Sequence, residues 1–210
     1  MNTFIGIDPG NRGAIAVLIE DWPESEATIV DMPVTVNELK TRGKNGKLRR
    51  EIEVDGGRLC AGLFSHTIGN LLRPGIGAGT ARIFVAVEAL PRRGPRPLDQ
   101  RQVMNFGKVM GAVEAFASMA SGIDVRKVDA MTVRRFFALG GDDYEERKDT
   151  AVEYASTVWG RPDMIVTTPR KPRKDGSPSK GAPTVERMDG RADALLIASW
   201  LRAAVRREGG

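Results

Sequence analysis

Four carboxylates sit where the surrounding sequence gives them unusual company. Asp8 closes the short apolar run Phe4-Ile5-Gly6-Ile7, although Asp-Pro-Gly is also an ordinary turn. Glu88 closes a second run, Ile83-Phe84-Val85-Ala86-Val87. A carboxylate there is costly to bury unless it is paired or bound to a cation, the alternative being an exposed strand end. Asp189 and Asp193 are four residues apart, which on a helix places them on one face. Helix capping and the positive helix end account comfortably for Asp189. They account less well for Asp193, which opens the packed run Ala194-Leu195-Leu196-Ile197-Ala198. Acids converging from strand ends and a docked helix would repel one another and take up protons, and divalent cations remove that difficulty. Hard oxygen donors without a His or Cys cluster suit Mg²⁺, with Mn²⁺ as a substitute. The single histidine, His66, falls within a predicted helix and reads as structural, so neither a zinc site nor a Ser-His-Asp triad is expected.

The elements that must position these acids follow from periodicity. Residues 4–7, 14–18 and 28–32 read as strands, the first two joined as a hairpin. Residues 38–50 hold Lys40, Arg42, Lys44, Lys47, Arg49 and Arg50 and form either an exposed basic loop or a hairpin insertion. Asp55 caps a helix reaching about residue 72. The run ending at Glu88 is a strand buried on both faces. Apolar residues at helical spacing from Val103 to Phe116 mark a long helix. A short strand near 125–128, helices near 130–138 and 144–158, and a last helix over about 187–206 complete the order. The segment 169–186 is basic, rich in Pro and Gly, and expected to be flexible. This order predicts an α/β fold, a mixed sheet flanked by helices, in a single domain spanning 1–210.

The whole-chain properties agree with such a domain. The chain has 210 residues, 41% of them hydrophobic, and one cysteine, Cys60, which excludes an internal disulfide framework. No stretch approaches the roughly 20 apolar residues of a membrane span. The N-terminus runs straight into a strand without a basic and apolar leader, so a soluble, cytoplasmic protein is expected. A net charge of +5 is compatible with a polyanionic partner.

Three motifs carry a resemblance. Ile5-Gly6-Ile7-Asp8-Pro9-Gly10 resembles the first catalytic strand of RuvC-family Holliday-junction resolvases, which have a ribonuclease H-like fold. Val85-Ala86-Val87-Glu88 is similar to their second acidic strand, and Ala192-Asp193-Ala194-Leu195-Leu196-Ile197-Ala198 to their last catalytic helix. The motifs come in the family's order, the elements between them cover nearly the whole chain, and the divergent middle resembles bacteriophage members, which act in the bacterial host cytoplasm. The resemblance implies a five-stranded mixed sheet and a crossover-junction endodeoxyribonuclease. It further implies two Mg²⁺ ions about 4 Å apart held by Asp8, Glu88, Asp189 and Asp193, 5′-phosphate products, and a homodimer on a four-way junction. The long helix from Val103 to Phe116 is then the candidate dimer surface. Two departures stand out. The family places its penultimate acid or histidine three residues before the last Asp, where this chain has Gly190, so Asp189 substitutes at a four-residue interval. The aromatic that follows the second acid in cellular members is missing, since Glu88 leads into Ala89-Leu90-Pro91.

Candidate DNA contacts follow from this frame. Arg92, Arg93 and Arg96 follow within eight residues of Glu88, where guanidinium forks suit phosphate oxygens, unless they form a solvated turn. Lys148 resembles a basic residue at the corresponding helix of the family, which would put it near the phosphate, or is a surface lysine. Arg170, Lys171, Arg173 and Lys174 either belong to a solvated linker or close over DNA, contributing salt-dependent affinity. Three other functions compete: a nuclease with broader branched-DNA specificity, a non-catalytic junction-binding module, and an ATPase of the actin and Hsp70 type. The last lacks a second phosphate loop and normally needs a longer chain.

Overall fold

The computed structural model describes residues 1–42, 48–71, 82–90, 100–119, 122–141, 144–168 and 184–209. Its centre is a five-stranded sheet in the order β3-β2-β1-β6-β7. The strands are β1 (Thr3–Ile7), β2 (Ala14–Ile19), β3 (Thr28–Asp31), β6 (Ile83–Glu88) and β7 (Ile123–Val128). β1, β2 and β3 form an antiparallel meander, whereas β6 and β7 run parallel to β1. The sheet is therefore mixed, as the ribonuclease H-like reading of the sequence requires. Between β3 and β6 the chain forms a separate antiparallel ribbon, β4 (Val34–Arg42) and β5 (Leu48–Val54), followed by α1 (Gly56–Leu71). The basic segment 38–50 thus lies within a hairpin that begins at Val34, its turn at 43–47 outside the described residues. A second ribbon pairs β8 (Ile165–Thr168) with β9 (Thr184–Arg187). Residues 184–186 of the basic segment form part of that strand, and residues 169–183 lie outside the described residues.

The period-two alternation of the strands builds two cores. Phe4, Phe84 and Ala86 face α5 (Asp189–Glu208), together with α3 (Ala130–Phe136) and α4 (Tyr144–Thr157). Ile5, Ile7, Val85 and Val87 face the opposite way, onto α1 and α2 (Gln100–Ser118). Both cores are packed with aliphatic side chains that are almost fully buried. Among the described residues no helix is long and apolar enough to cross a membrane.

Gly6 lets α5 lie unusually close to β1. A Cβ at this position would stand 2.1 Å from the Ala194 carbonyl oxygen and 2.4 Å from the Ala198 nitrogen, distances no side chain tolerates. Polar clips then fix the helix lengthwise. Arg191 holds Asp31 at the end of β3 through two bonds of 2.6 and 2.7 Å, and Arg202 reaches Glu24 at 2.5 Å and the Trp22 carbonyl.

The β4–β5 ribbon is held to α2 by residues one and two turns apart on that helix. Arg101 pairs with Glu51 at 3.3 Å, Lys108 with Glu53, and the Oδ1 of Asn105 accepts the Val54 N–H at 3.1 Å. Asn105 is buried, so Asn105→Ala should leave that N–H without a partner at a cost of about 1–3 kcal/mol. Faster hydrogen exchange across β5 with unchanged exchange in β1 would report it. Equal protection in both strands would contradict this anchoring role.

Candidate active site

Parallel pairing brings the first two acids together. Thr3 to Ile7 of β1 pair in register with Ile83 to Val87 of β6, so Asp8 and Glu88 are the next neighbours at adjacent strand ends. Alternation carried one residue further puts both on the side of Phe4 and Phe84, the face covered by α5. Asp8 is fixed locally: its N–H donates to the Ala14 carbonyl at 3.0 Å, and its Oδ1 accepts the Gly10 N–H at 3.1 Å. Gly13 permits this tight connection, because a Cβ there would lie 2.1 Å from the Asp8 carbonyl oxygen.

Asp189 and Asp193 occupy the first two turns of α5 and meet basic side chains of neighbouring helices. Lys148 of α4 pairs with Asp189 at 2.5 Å. Arg134 of α3, itself buried, pairs with Asp193 at 2.9 Å and also donates to the Arg147 carbonyl. Asp8 and Glu88, by contrast, form no ion pair among the described residues. Burial, followed by the charge of Asp193, raises the Asp8 carboxyl to about 7 even though the Gly10 N–H and Lys148 oppose the shift. Burial, followed by the charges of Asp8 and Asp193, raises Glu88 to about 8. Asp193 is raised to about 6, again chiefly by burial, with Arg134 pulling the other way. Asp193 thus acts on both strand-end acids, Asp8 acts on Glu88, and Asp189 acts on Asp8 and Asp193.

Asp8, Glu88 and Asp189 line a cleft of about 710 Å³. Its other walls come from the β1–β2 connection with Arg12, the ribbon with Arg50 and Ile52, the start of α2 with Arg101 and Phe106, and Lys148. Carboxylate oxygens at the floor are donors that a hard divalent cation takes. Among the described residues no three acidic, histidine or cysteine side chains form a ready-made metal cage. Two of the four acids instead hold cations of the protein itself. His66 lies half-buried on α1 and is not among the residues lining the cleft.

The Gly190 departure has a steric cause. A Cβ at 190 would stand 2.2 Å from the Arg12 carbonyl oxygen and 2.8 Å from the Gly13 Cα. The three-residue interval is therefore closed to any side chain, and the acid stands at 189. Gly190→Asp, which would restore that interval, should destabilise the fold by at least about 3 kcal/mol, the upper range for an overpacked core position. A thermal melt checks this, and parental stability would show that α5 can move away from Arg12.

Of the sequence-predicted site residues, the structure brings Asp8, Glu88, Asp189 and Lys148 together in the cleft, whereas Asp193, one turn further along α5, pairs with Arg134 and is not among the lining residues. Arg92, Arg93, Arg96, Arg170, Lys171, Arg173 and Lys174 lie outside the described residues. Sequence reasoning missed Arg12, Arg101 and Arg134 as site residues, and placed Arg50 only within a basic segment. Nothing in the local sequence marks Arg134, since its partner Asp193 is 59 residues away.

Compared with known proteins, the chain matches no protein-family model and no curated protein sequence. It is similar to two solved structures of RuvC from Thermus thermophilus. One is RuvC in complex with a Holliday junction substrate, at 19% identity and a TM-score of 0.46, covering 99% of this chain and 96% of that one. The other, a structure described as Thermus thermophilus RuvC, is 20% identical with a TM-score of 0.41 and the same two coverages.

Proposed function

We propose that this cleft is the active site of a divalent-metal-dependent endonuclease that resolves four-way DNA junctions. The observation that carries the reading is the pair of strand-end acids Asp8 and Glu88. They lie side by side at the floor of a cleft, raised to about 7 and 8, without an ion pair among the described residues. Keeping two such groups together is unfavourable in the bare protein and favourable once a cation binds.

Asp8, Glu88, Asp189 and Asp193 would hold two Mg²⁺ ions, with Mn²⁺ able to substitute. Bound there, the metal supplies an activated water and charge stabilisation for the departing 3′ oxygen. Hydrolysis forms one phosphorus–oxygen bond to water and breaks the bond to the 3′ oxygen, leaving a 5′-phosphate and a 3′-hydroxyl. Lys148, which pairs with Asp189, stands in the cleft wall where its ammonium group would also meet a phosphate oxygen. Arg12 and Arg101 stand at the same walls, where guanidinium groups suit phosphate. Arg92, Arg93 and Arg96, shortly after Glu88 in the chain, and Arg170, Lys171, Arg173 and Lys174 ahead of α5 are proposed as further backbone contacts. A homodimer through α2 is proposed because that helix leaves Val103 and Met104 46% and 44% exposed and Gly107 and Gly111 open.

One observation favours a second reading, a junction-binding module without catalysis: Lys148 and Arg134 already neutralise Asp189 and Asp193. The test is cleavage of a labelled four-way junction beside linear duplex and a flap, with Mg²⁺ or EDTA, for the parent and Asp8→Asn. Paired nicks at symmetric positions that need the metal and vanish in Asp8→Asn support junction resolution. Equal cutting of flap and junction keeps the chemistry and broadens the substrate to branched DNA. Tight binding with no cutting under any condition overturns the enzyme reading and leaves the module.

A further inference from the structure

The β4–β5 ribbon is not part of the five-stranded sheet, yet it is held in one place. Its Glu51 and Glu53 are occupied by Arg101 and Lys108 of α2, and Asn105 accepts its Val54 N–H. That anchoring leaves Arg50 and Ile52 lining the acid cleft. Ile52 is 41% exposed and its cross-strand partner Val36 is 50% exposed, so a β-branched pair lies open on the ribbon. Beside it Arg50 pairs with Glu38 at 3.2 Å, with both side chains exposed. An exposed pair of this kind contributes little stability, so Arg50 can exchange Glu38 for a stronger anionic partner at small cost.

The chemistry of the surroundings selects the occupant. From Val34 to Val54 the ribbon carries six basic residues against three acidic ones, and all three acids are already engaged by Arg50, Arg101 and Lys108. The facing walls contribute Arg12 and Lys148. A polymer with regular negative charges and apolar faces between them matches this alternation of guanidinium and aliphatic side chain. An acidic peptide would match the charge but offers no flat apolar face at each repeat.

We infer that the ribbon is one jaw of the cleft, gripping the DNA strand that passes over Asp8 and Glu88. Arg50 holds a backbone phosphate, and Ile52 with Val36 packs against the adjoining sugar or base. This inference rests on the nuclease reading of the cleft and adds to it a contact surface lying outside the three acidic motifs.

The experiment measures binding of a fluorescent four-way junction in EDTA over a series of salt concentrations, for the parent, Arg50→Ala, Ile52→Ser and Glu38→Gln. All three positions are exposed, and melting curves check that each variant is folded. Arg50→Ala should weaken binding about fivefold and reduce the slope of log affinity against log salt by about one, the signature of one lost phosphate contact. Ile52→Ser should weaken binding about threefold without changing the slope, since an apolar contact releases no counterion. Glu38→Gln should strengthen binding by freeing Arg50. A ribbon that matters only for folding would give weaker binding in all variants and an unchanged slope, and that result overturns the inference. Parental affinity and slope in Arg50→Ala also overturn it while leaving the nuclease reading intact. If the parent neither binds nor cuts the junction, the nuclease reading itself fails.

Discussion

At pH 8 and without divalent cations, Glu88→Gln is expected to melt about 5 °C higher than the parent, and to have lost junction cleavage when Mg²⁺ is restored. Both effects come from the same carboxylate. In the unfolded chain Glu88 and Asp8 titrate at their ordinary values of 4.5 and 3.8, whereas in the fold they titrate near 8 and 7. Between those limits the folded protein holds more protons than the unfolded chain, so its stability falls as pH rises. The stability of the metal-free parent should therefore decline from about pH 4 to pH 8 and then level off. Glutamine removes most of the Glu88 contribution to that decline. The full shift corresponds to about 4–5 kcal/mol. Glu88 is only half-buried, however, so solvent screening lowers the expected gain at pH 8 to about 2 kcal/mol, several degrees for a chain of this size. The loss of cleavage should be on the order of a thousandfold, as when a group that stabilises transition-state charge is removed. Magnesium should stabilise the parent more at pH 8 than at pH 5, because its ligands must first lose their protons, and should do so less in the variant. Melting curves at pH 5 and 8, with and without Mg²⁺, read all of this. A metal-free parent whose melting point does not change over that range would refute the proposed electrostatic cost, as would a destabilised Glu88→Gln.

Gly6→Val is expected to have the largest effect of any single substitution on β1. Even the first carbon of a side chain meets the backbone of α5 at 2.1 Å, and backbone cannot rotate away as a flexible side chain can. The helix would have to move outward, opening the core around Phe4, Leu195 and Ala198. A cost above about 4 kcal/mol is expected, in the range reserved for severe overpacking. Because Asp8 lies two residues beyond Gly6 and Asp193 lies on the displaced helix, the damage should reach the site as well. Gly6→Ala should behave in the same way with a smaller loss. Soluble expression and thermal melting measure the effect, and a Gly6→Val protein with parental melting would contradict the close β1–α5 packing. As a control, Gly62→Ala on α1 has nothing within 4 Å of the added carbon and should leave stability close to parental.

Some of the architecture was legible in the sequence because it is encoded locally. The strands ending at Asp8 and Glu88 are short apolar runs that stop at an acid, and β1, β2, β3 and β6 appear where those runs predict. Helical spacing marks α2 and α5, and the four-residue interval between Asp189 and Asp193 is enough to put both on one helical face. The second ribbon escaped notice because β8 and β9 are four residues each and pair across residues 169–183. Such short strands are defined by the partner they find, not by their own periodicity.

Local patterns along the chain thus mark which acids end strands and which share a helix face, and they follow one another in an order suited to a mixed sheet. The tertiary structure alone decided that they meet. In-register parallel pairing of β1 with β6 makes neighbours of Asp8 and Glu88, 80 positions apart. Close approach of the Arg12 carbonyl leaves no room for a side chain at 190. Packing of α3 and α4 against α5 supplies Arg134 and Lys148 as counter-ions. Docking of the ribbon on α2 turns a basic stretch into a wall of the cleft. The physical reason is common to all four. Periodicity reports only which face a side chain occupies on its own element, whereas ion pairs, close backbone approaches and register depend on distances between elements far apart in the chain.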